Sequence, residues 1–259
     1  MSGRIDLEAN GGVVTVTLNN PAKLNAMTKA MWLAFADVWK EVNADMSVRC
    51  VILKGAGERG FCPGNDIGEF ATERSNAEQA RALSAVMNDG REAMLACPHP
   101  VIASIQGACV GGGLEIAAMA DMRIASEVAR FGAPLNRIGL TMAFEEMLPI
   151  WKLTNKQTMF EMLVEGRIFD AEEAKSRGLV NRIVEHDALE QEVSEAAERI
   201  AVGPPLVNRW HKQFFARLED PRPLEPQDYE EHYLAFETHD YQVGYRSFLS
   251  KSVPEFKGR

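Results

Sequence analysis

The stretch PVIASIQGACVGGGLEIAAMADMRIAS (100–126) holds a strand, a glycine loop, a helix and a second strand in that order. Residues 100–107 are a short apolar run with β-branched residues that ends at a glycine, which is typical of a buried strand. Three glycines follow at 111–113, and the apolar residues behind them predict a helix. MRIAS (122–126) predicts the next strand. This order predicts α/β layering with crossover connections.

The segments on either side repeat this alternation of strand and helix. Further strands are predicted at 11–20, 50–57 and the end of 170–184, helices at 28–45, 76–97 and the start of 170–184, and a loop at 58–75. Beyond these the chain is helical with proline breaks. We therefore predict an α/β core over residues 1–195 and a C-terminal helical region over 196–259.

Composition limits the classes of function. The 259 residues are 46% hydrophobic, enough for a large core, and the formal net charge of -9 argues against general binding of nucleic acid or an anionic membrane. No long apolar run suggests a membrane span, so we expect a cytoplasmic protein. The four scattered cysteines form no CxxC pair, and the histidines follow no ligand spacing, so we propose no metal.

Glu115 is a carboxylate placed among apolar residues. It lies between Leu114 and Ile116, and on a helix it would share its face with Ala118 and Met119. An ionised acid there loses much of its hydration, so it must be paired or have a raised pKa. Glu115 is therefore a candidate for proton transfer.

Two segments can expose backbone N–H groups near this acid. The turn-forming FCPGNDI (61–67) follows a buried strand and its glycine loop, and the glycines 111–113 begin a helix. Two such loops on adjacent strands could direct two N–H groups at one oxygen, as an oxyanion hole does. Two structural roles are equally open: the glycines could permit only close packing, and Glu115 could cap a turn or pair with Arg123 or Arg137. The glycine spacing does not match a dinucleotide-binding loop.

The order and spacing of several motifs resemble the crotonase, or enoyl-CoA hydratase/isomerase, superfamily. These motifs are NPAKLNAM (20–27), FCPGNDIGEF (61–70), HPVIASIQGACVGGGLEIAAMADMRIAS (99–126), ARFGAP (129–134), GRIFDAEEAKSRGLVNRIV (166–184) and FLSKSVPEFKGR (248–259). The resemblance implies an α/β fold in which repeated ββα units form a spiral core, with C-terminal helices that mediate trimers, often paired into hexamers. It also implies substrates that are coenzyme A thioesters.

The resemblance assigns roles to individual residues. The N–H groups of Asn65 and Gly112 would form the oxyanion hole, and Glu115 would be a general acid/base. Residues expected to contact coenzyme A or the substrate are Lys23, Leu24, Ala26, Asp66, Ile67 and, in the pocket wall, Leu135, with Lys251 and Lys257 as weaker candidates for phosphate contacts. No cofactor is expected beyond the coenzyme A that the substrate itself carries.

The sequence departs from the hydratase pattern at the second catalytic acid. That glutamate would follow the proline of FGAP, where this chain has Leu135, and the isomerase position four residues after Gly139 is Ala143. Glu145 or Glu146 could supply the missing acid if the loop packs differently. Alternatively, they belong to a first helical turn and face solvent, as we expect.

We therefore predict an enzyme that acts on acyl-CoA thioesters through a stabilised enolate, as an enoyl-CoA hydratase or isomerase. The alternatives are a CoA-ester hydrolase or decarboxylase on the same scaffold, and a catalytically impaired subunit that binds acyl-CoA. We expect a homotrimer or a hexamer of two trimers, with no nucleic-acid or membrane partner.

Overall fold

The computed structural model describes residues 3–259 as ten strands and eleven α-helices. The strands are β1 Arg4–Asn10, β2 Val13–Asn19, β3 Cys50–Gly55, β4 Gly60–Cys62, β5 Val101–Ile105, β6 Ala108–Val110, β7 Met122–Ser126, β8 Arg130–Gly132, β9 Ile168–Phe169 and β10 Arg182–Val184. The helices are α1 Lys29–Ala44, α2 Phe70–Glu73, α3 Ala77–Leu95, α4 Gly112–Ala118, α5 Phe144–Leu153, α6 Lys156–Phe160, α7 Ala171–Ser176, α8 Leu189–Ala201, α9 Pro205–Glu219, α10 Pro226–Glu230 and α11 His239–Ser250.

The larger sheet contains six strands in the order β1-β2-β3-β5-β7-β10. The β1–β2 hairpin is antiparallel, and every other pair in this sheet is parallel. Strand β5 is buried along its whole length, as expected for a parallel strand covered on both faces. The α/β class and the strand predicted at residues 122–126 are confirmed.

A second sheet, β4-β6-β8-β9, is built from strands of two or three residues. Strands β3, β5 and β7 each enter the larger sheet, and the strand that follows each of them enters the smaller one. This alternation produces the expected ββα repeats. The loop predicted at residues 58–75 is wrong in part, because it contains β4 and the short helix α2. Strands this short carry too few side chains to show a periodic pattern.

Helices α1 and α3 pack against one another, and each contributes buried side chains to the core. Trp32, Phe35 and Trp39 of α1 are fully buried, and their rings contact edge to face with centroids 5.7 and 5.8 Å apart. The N–H of Met31 donates to Oγ1 of Thr28 over 3.2 Å, so Thr28 caps α1 as its residue type predicts. The cap therefore fixes where α1 begins, and the packed aromatic rings fix which face of the helix lies in the core.

The helical end of the chain is tied to the core by polar contacts. Nζ of Lys212, in α9, donates to Asp121 over 2.7 Å and to the backbone oxygen of His99 over 2.8 Å. The division predicted after residue 195 falls inside α8, which packs on the larger sheet. No helix within residues 3–259 has the length and apolar character that crossing a membrane requires.

Candidate active site

The two glycine loops predicted to lie together do meet. A Cβ placed on Gly112 would lie 3.4 Å from the Cα of Gly64 and 3.9 Å from the nitrogen of Asn65. At Gly113 the approach is closer, since a Cβ there would lie 1.9 Å from the carbonyl oxygen of Cys62. Only glycine fits at 113, because no rotation of a side chain relieves a clash with backbone. The packing alternative is therefore correct for Gly113, whereas a Cβ on Gly112 would meet no atom closer than 3.4 Å.

The N–H groups of Asn65 and Gly112 are both available. Gly112 is the first residue of α4, where backbone N–H groups have no partner inside the helix. Within residues 3–259 neither this N–H nor that of Asn65 donates a hydrogen bond to the protein. Two donors without an acceptor, on adjacent loops, are the groups that an oxyanion hole requires.

Asn65 is held in place by its side chain. Nε1 of the buried Trp32 donates to Oδ1 of Asn65 over 2.7 Å, and Nδ2 of Asn65 lies 3.6 Å from the sulfur of Met87. The core thus fixes the loop that presents the Asn65 N–H. Sequence reasoning did not identify this role of Trp32, because no local pattern shows which loop a buried indole reaches.

Trp32→Phe is expected to reduce kcat by about tenfold with little change in KM, because the lost hydrogen bond positions a group that acts mainly in the transition state. Trp39→Phe is the matched control, since Trp39 is equally buried on α1 and its Nε1 has no partner within the described residues. Initial rates over a range of substrate concentrations test this. Equal effects of the two substitutions would contradict a positioning role for Trp32.

Glu115 is fully buried and carries one paired and one free oxygen. Nη1 of Arg91 donates to Oε1 over 3.0 Å, and Oε2 has no hydrogen-bond partner within the described chain. A Cβ on Gly112 would lie 3.8 Å from Oε2 and 3.9 Å from the nitrogen of Asn65, so the free oxygen and this nitrogen lie on the same side of Gly112. The alternative pairing with Arg123 or Arg137 is wrong, because both of these donate to backbone carbonyls.

Burial raises the pKa of Glu115 to about 8, outweighing the opposing effect of the Arg91 charge. The negative charge of Glu146 also raises this pKa, and the charge of Arg74 lowers it. Glu115 is thus paired with Arg91 and also has a raised pKa, so both outcomes that its sequence environment allowed occur together. At neutral pH it is mostly protonated and can donate a proton.

Glu146 is buried, with 6% of its surface exposed. It lies in the first turn of α5, where one of its oxygens accepts a hydrogen bond from the N–H of Ala143 over 3.0 Å. Glu145 is exposed. The expectation that both acids face solvent is therefore wrong for Glu146, whose charge reaches Glu115. Leu135 is partly buried against the core and supplies no acid.

The predicted coenzyme A residues lie on two loops that are joined to each other. The N–H of Met27 donates to Gly64 and that of Asp66 donates to Met27, which links segment 20–27 to segment 61–70. Asp66 is also paired with Nζ of Lys23. The other predicted contacts differ in exposure: Leu24 adopts a left-handed backbone conformation, Ala26 is buried and Ile67 is 64% exposed.

Lys251 and Lys257 lie at the C-terminal end of the chain. Lys251 ends α11 and is exposed. The backbone N–H of Lys257 donates to Asp240, and its Nζ lies 3.8 Å from Glu255. Neither residue forms a hydrogen bond or ion pair with the loops at 20–27 or 61–70 in the described protomer.

Arg91 is the site residue that sequence reasoning missed. Met87, Arg91 and Met94 share one face of α3 by their spacing, and all three are buried. The positive charge in the middle of this apolar face could have identified Arg91 from the sequence. Its partner could not be identified, because α3 and α4 are separated by two strands in the sequence.

A long groove on the far side of the larger sheet does not include the site. It runs between the outer face of β1–β3 and α8, and it contains none of Asn65, Gly112 and Glu115. Its charged lining residues are Asp6, Glu8, Lys54, Glu58, Asp187, Glu190 and Glu198. A groove with one cation among these acids is unsuited to an anionic nucleotide such as coenzyme A.

Comparisons with known proteins agree with this architecture. The family described as enoyl-CoA hydratase/isomerase matches residues 8–259. The (E)-benzylidenesuccinyl-CoA hydratase of Thauera aromatica is 33% identical over 98% of this chain and 99% of its own. The short-chain-enoyl-CoA hydratase of Clostridium acetobutylicum is 32% identical over 98% and 97%. A crystal structure of an enoyl-CoA hydratase/carnithine racemase from Magnetospirillum magneticum superposes with a TM-score of 0.96 at 46% identity, covering 98% and 96% of the two chains.

Fold and sequence thus define a protein of the crotonase superfamily. The chain belongs to the enoyl-CoA hydratase/isomerase family, and it is an enzyme of that family that acts on acyl-CoA thioesters.

Proposed function

We propose that the enzyme hydrates a 2-enoyl-CoA thioester through an enolate held by the N–H groups of Asn65 and Gly112. The observation that carries this proposal is that the Asn65 nitrogen and the free Oε2 of Glu115 lie on the same side of Gly112, 3.9 and 3.8 Å from a Cβ placed there. A thioester oxygen bound beside Gly112 would have the N–H groups of Asn65 and Gly112 as donors as it becomes negative. The hydratase names of its relatives agree with this reaction.

In this mechanism the two carboxyl groups divide the proton transfers. The oxygen of a water attacks the β carbon of the enoyl group, and Glu146 accepts the proton that this water loses. Protonated Glu115 then gives its proton to the α carbon of the enolate, which yields a 3-hydroxyacyl-CoA. Transfer of one proton from Glu146 back to Glu115, directly or through solvent, restores the resting state.

The roles follow from the different environments of the two acids. Glu115 is fully buried and retains its proton at neutral pH, as a general acid must. Glu146 lies at the N-terminal end of α5, where the helix dipole favours a negative charge. Together they supply the acid and base of hydration although Leu135 occupies the usual position of the second acid.

Glu146→Gln is expected to reduce hydration by about 10²-fold, because the attacking water loses its base. It should also lower the pKa of Glu115, since the charge of Glu146 helps to raise that pKa. As the pH is raised, Glu115 should therefore lose its proton sooner, and the rate should begin to fall at a lower pH than in the unmodified enzyme. Glu145→Gln is the matched control: it removes an exposed acid from the same helical turn. Indistinguishable pH–rate profiles for the two variants would contradict the role of Glu146.

The products formed distinguish the competing functions. Release of free coenzyme A or carbon dioxide would indicate a hydrolase or decarboxylase, and stoichiometric binding without turnover would indicate an impaired binding subunit. Isomerisation of a 3-enoyl-CoA needs one base at the α carbon and the same oxyanion hole. Conversion of 3-enoyl-CoA with no activity toward 2-enoyl-CoA would therefore favour isomerase over hydratase.

We also propose that the protein assembles as a trimer or a hexamer. The C-terminal region carries large apolar side chains that are exposed in the single chain, among them Phe215, Leu218, Tyr233, Phe236, Phe248 and Leu249. Apolar surface of this extent is typical of subunit interfaces. Light scattering during size-exclusion chromatography gives the mass, and a monomer at micromolar concentration would contradict this assembly.

A further inference from the structure

We propose that the acyl group of the substrate carries a second carboxylate, and that Arg91 and Arg74 bind it. This inference rests on the proposed function, because it takes the space beside Glu115 as the acyl pocket. It concerns the class of acyl group, which the reaction alone leaves open.

Arg91 is a buried cation next to the catalytic acid Glu115. Its side chain is 5% exposed, and it lies on the face of α3 formed with Met87 and Met94. Nη1 donates to Glu115, and Nη2 donates to Oδ1 of Asn88. A guanidinium has five N–H groups, and the described residues provide acceptors for two of them. The side chain therefore has unused donors next to the catalytic acid.

Glu115 neutralises this cation only when it is ionised. It accepts a hydrogen bond from Arg91, and burial raises its pKa, which disfavours the ionised form. A buried cation without an ionised partner is unfavourable, and an anion bound beside it relieves that cost. A carboxylate is the anion that fits best beside Arg91, because its two oxygens match the parallel N–H groups of a guanidinium.

Arg74 is a second source of positive charge for Glu115. Its charge acts on Glu115, and its guanidinium lies 5.6 Å from the ring centre of Phe70. Among residues 3–259, no carboxylate lies within 4.0 Å of Arg74. Two positive charges therefore act on the buried Glu115. A purely hydrocarbon acyl group would leave the unused donors of Arg91 without an acceptor and Arg74 without a carboxylate.

The phosphates of coenzyme A do not satisfy these arginines. Glu115 must contact the α and β carbons of the acyl group, and Arg91 is bonded directly to Glu115. The pantetheine arm separates the thioester from the phosphates by far more than one side-chain length. The carboxylate must therefore belong to the acyl group.

The test compares two saturated thioesters of equal length, glutaryl-CoA and valeryl-CoA, which differ by a terminal carboxylate in place of a methyl group. Neither can be hydrated, so binding is measured apart from catalysis. Titration calorimetry should show glutaryl-CoA binding about tenfold or more tightly. Arg91→Gln should remove this preference, and Arg91→Lys should retain part of it. Arg81→Gln, which removes an exposed arginine from the same helix, should leave it unchanged.

Equal affinity of the unmodified enzyme for the two esters would overturn this proposal, as would a preference that survives in both Arg91→Gln and Arg74→Gln. Thermal denaturation identifies a variant that fails to fold, in which case the half-buried Arg74 carries the test. Failure of the proposed function has a different signature, namely that no 2-enoyl-CoA is hydrated in a Glu115-dependent manner. Binding of neither saturated ester would contradict both proposals.

Discussion

Glu115→Gln is expected to reduce the hydration rate of crotonyl-CoA by about 10²–10⁴-fold, the contribution of a positioned general acid. The substitution keeps the shape of the side chain, and its Oε1 can still accept the hydrogen bond from Arg91. Substrate affinity should therefore change little. Glu145→Gln again serves as the control. A variant that retains more than a tenth of the rate would show that Glu115 does not transfer the rate-determining proton.

The same substitution has a second expected effect, on stability. Glu115 has a pKa of about 8 in the folded protein, raised from 4.5, so burial disfavours its charged form. Between these values the unfolded chain has lost the proton that the folded protein still holds. Stability from this group is therefore fully present below pH 4.5 and is lost as the pH rises to about 8.

Glutamine cannot ionise, so Glu115→Gln should gain melting temperature relative to the unmodified enzyme as the pH is raised from 5 to 8. Thermal denaturation across this range measures the difference. A constant difference between the two proteins would contradict the raised pKa.

Substitutions at the two neighbouring glycines should have opposite consequences. Gly112→Ala should fold, because the nearest atom to its new Cβ would be the Cα of Gly64, at 3.4 Å. Its methyl group would occupy the space between the Asn65 N–H and Oε2 of Glu115, where the thioester oxygen is expected to bind. Blocking an oxyanion hole should cost at least about 10²–10³-fold in kcat.

Gly113→Ala should instead prevent folding, because its Cβ would lie 1.9 Å from the Cys62 carbonyl oxygen and neither backbone can move without displacing the other loop. Circular dichroism and activity measured on both variants separate the two effects. An active, stable Gly112→Ala would place the substrate oxygen elsewhere. A stable Gly113→Ala would show that the loops do not approach as described.

The long elements of the fold were predictable from the sequence. Helices α1 and α3 carry several turns of periodic apolar residues, and β3 and β5 are continuous apolar runs between turn signals. The strands of the smaller sheet were not predicted from local patterns, because β4, β6 and β8 have three residues each. Only the family resemblance implied them, through its repeated ββα units. Short strands of this kind are specified by tertiary context.

The site was predictable in part. Residue types and glycine positions predicted that the loops at 61–67 and 111–113 lie together, and they identified Glu115 as an acid in apolar surroundings. Its partner Arg91 and the burial of Glu146 depend on how α3 and α5 pack around α4. A short N-terminal turn of a helix is normally exposed, so nothing local distinguishes Glu146 from Glu145.

The proposed mechanism requires that an enolate form in the oxyanion hole and that Glu115 protonate its α carbon. The most direct measurement is the reaction of crotonyl-CoA, and of its carboxylated counterpart glutaconyl-CoA, in heavy water, with the products analysed by mass spectrometry and NMR. We expect loss of the conjugated thioester absorbance, a product heavier by one water with one deuterium on the α carbon, and neither change in Glu115→Gln. Both esters bound without reaction, or free coenzyme A in place of the hydrated product, would contradict this mechanism.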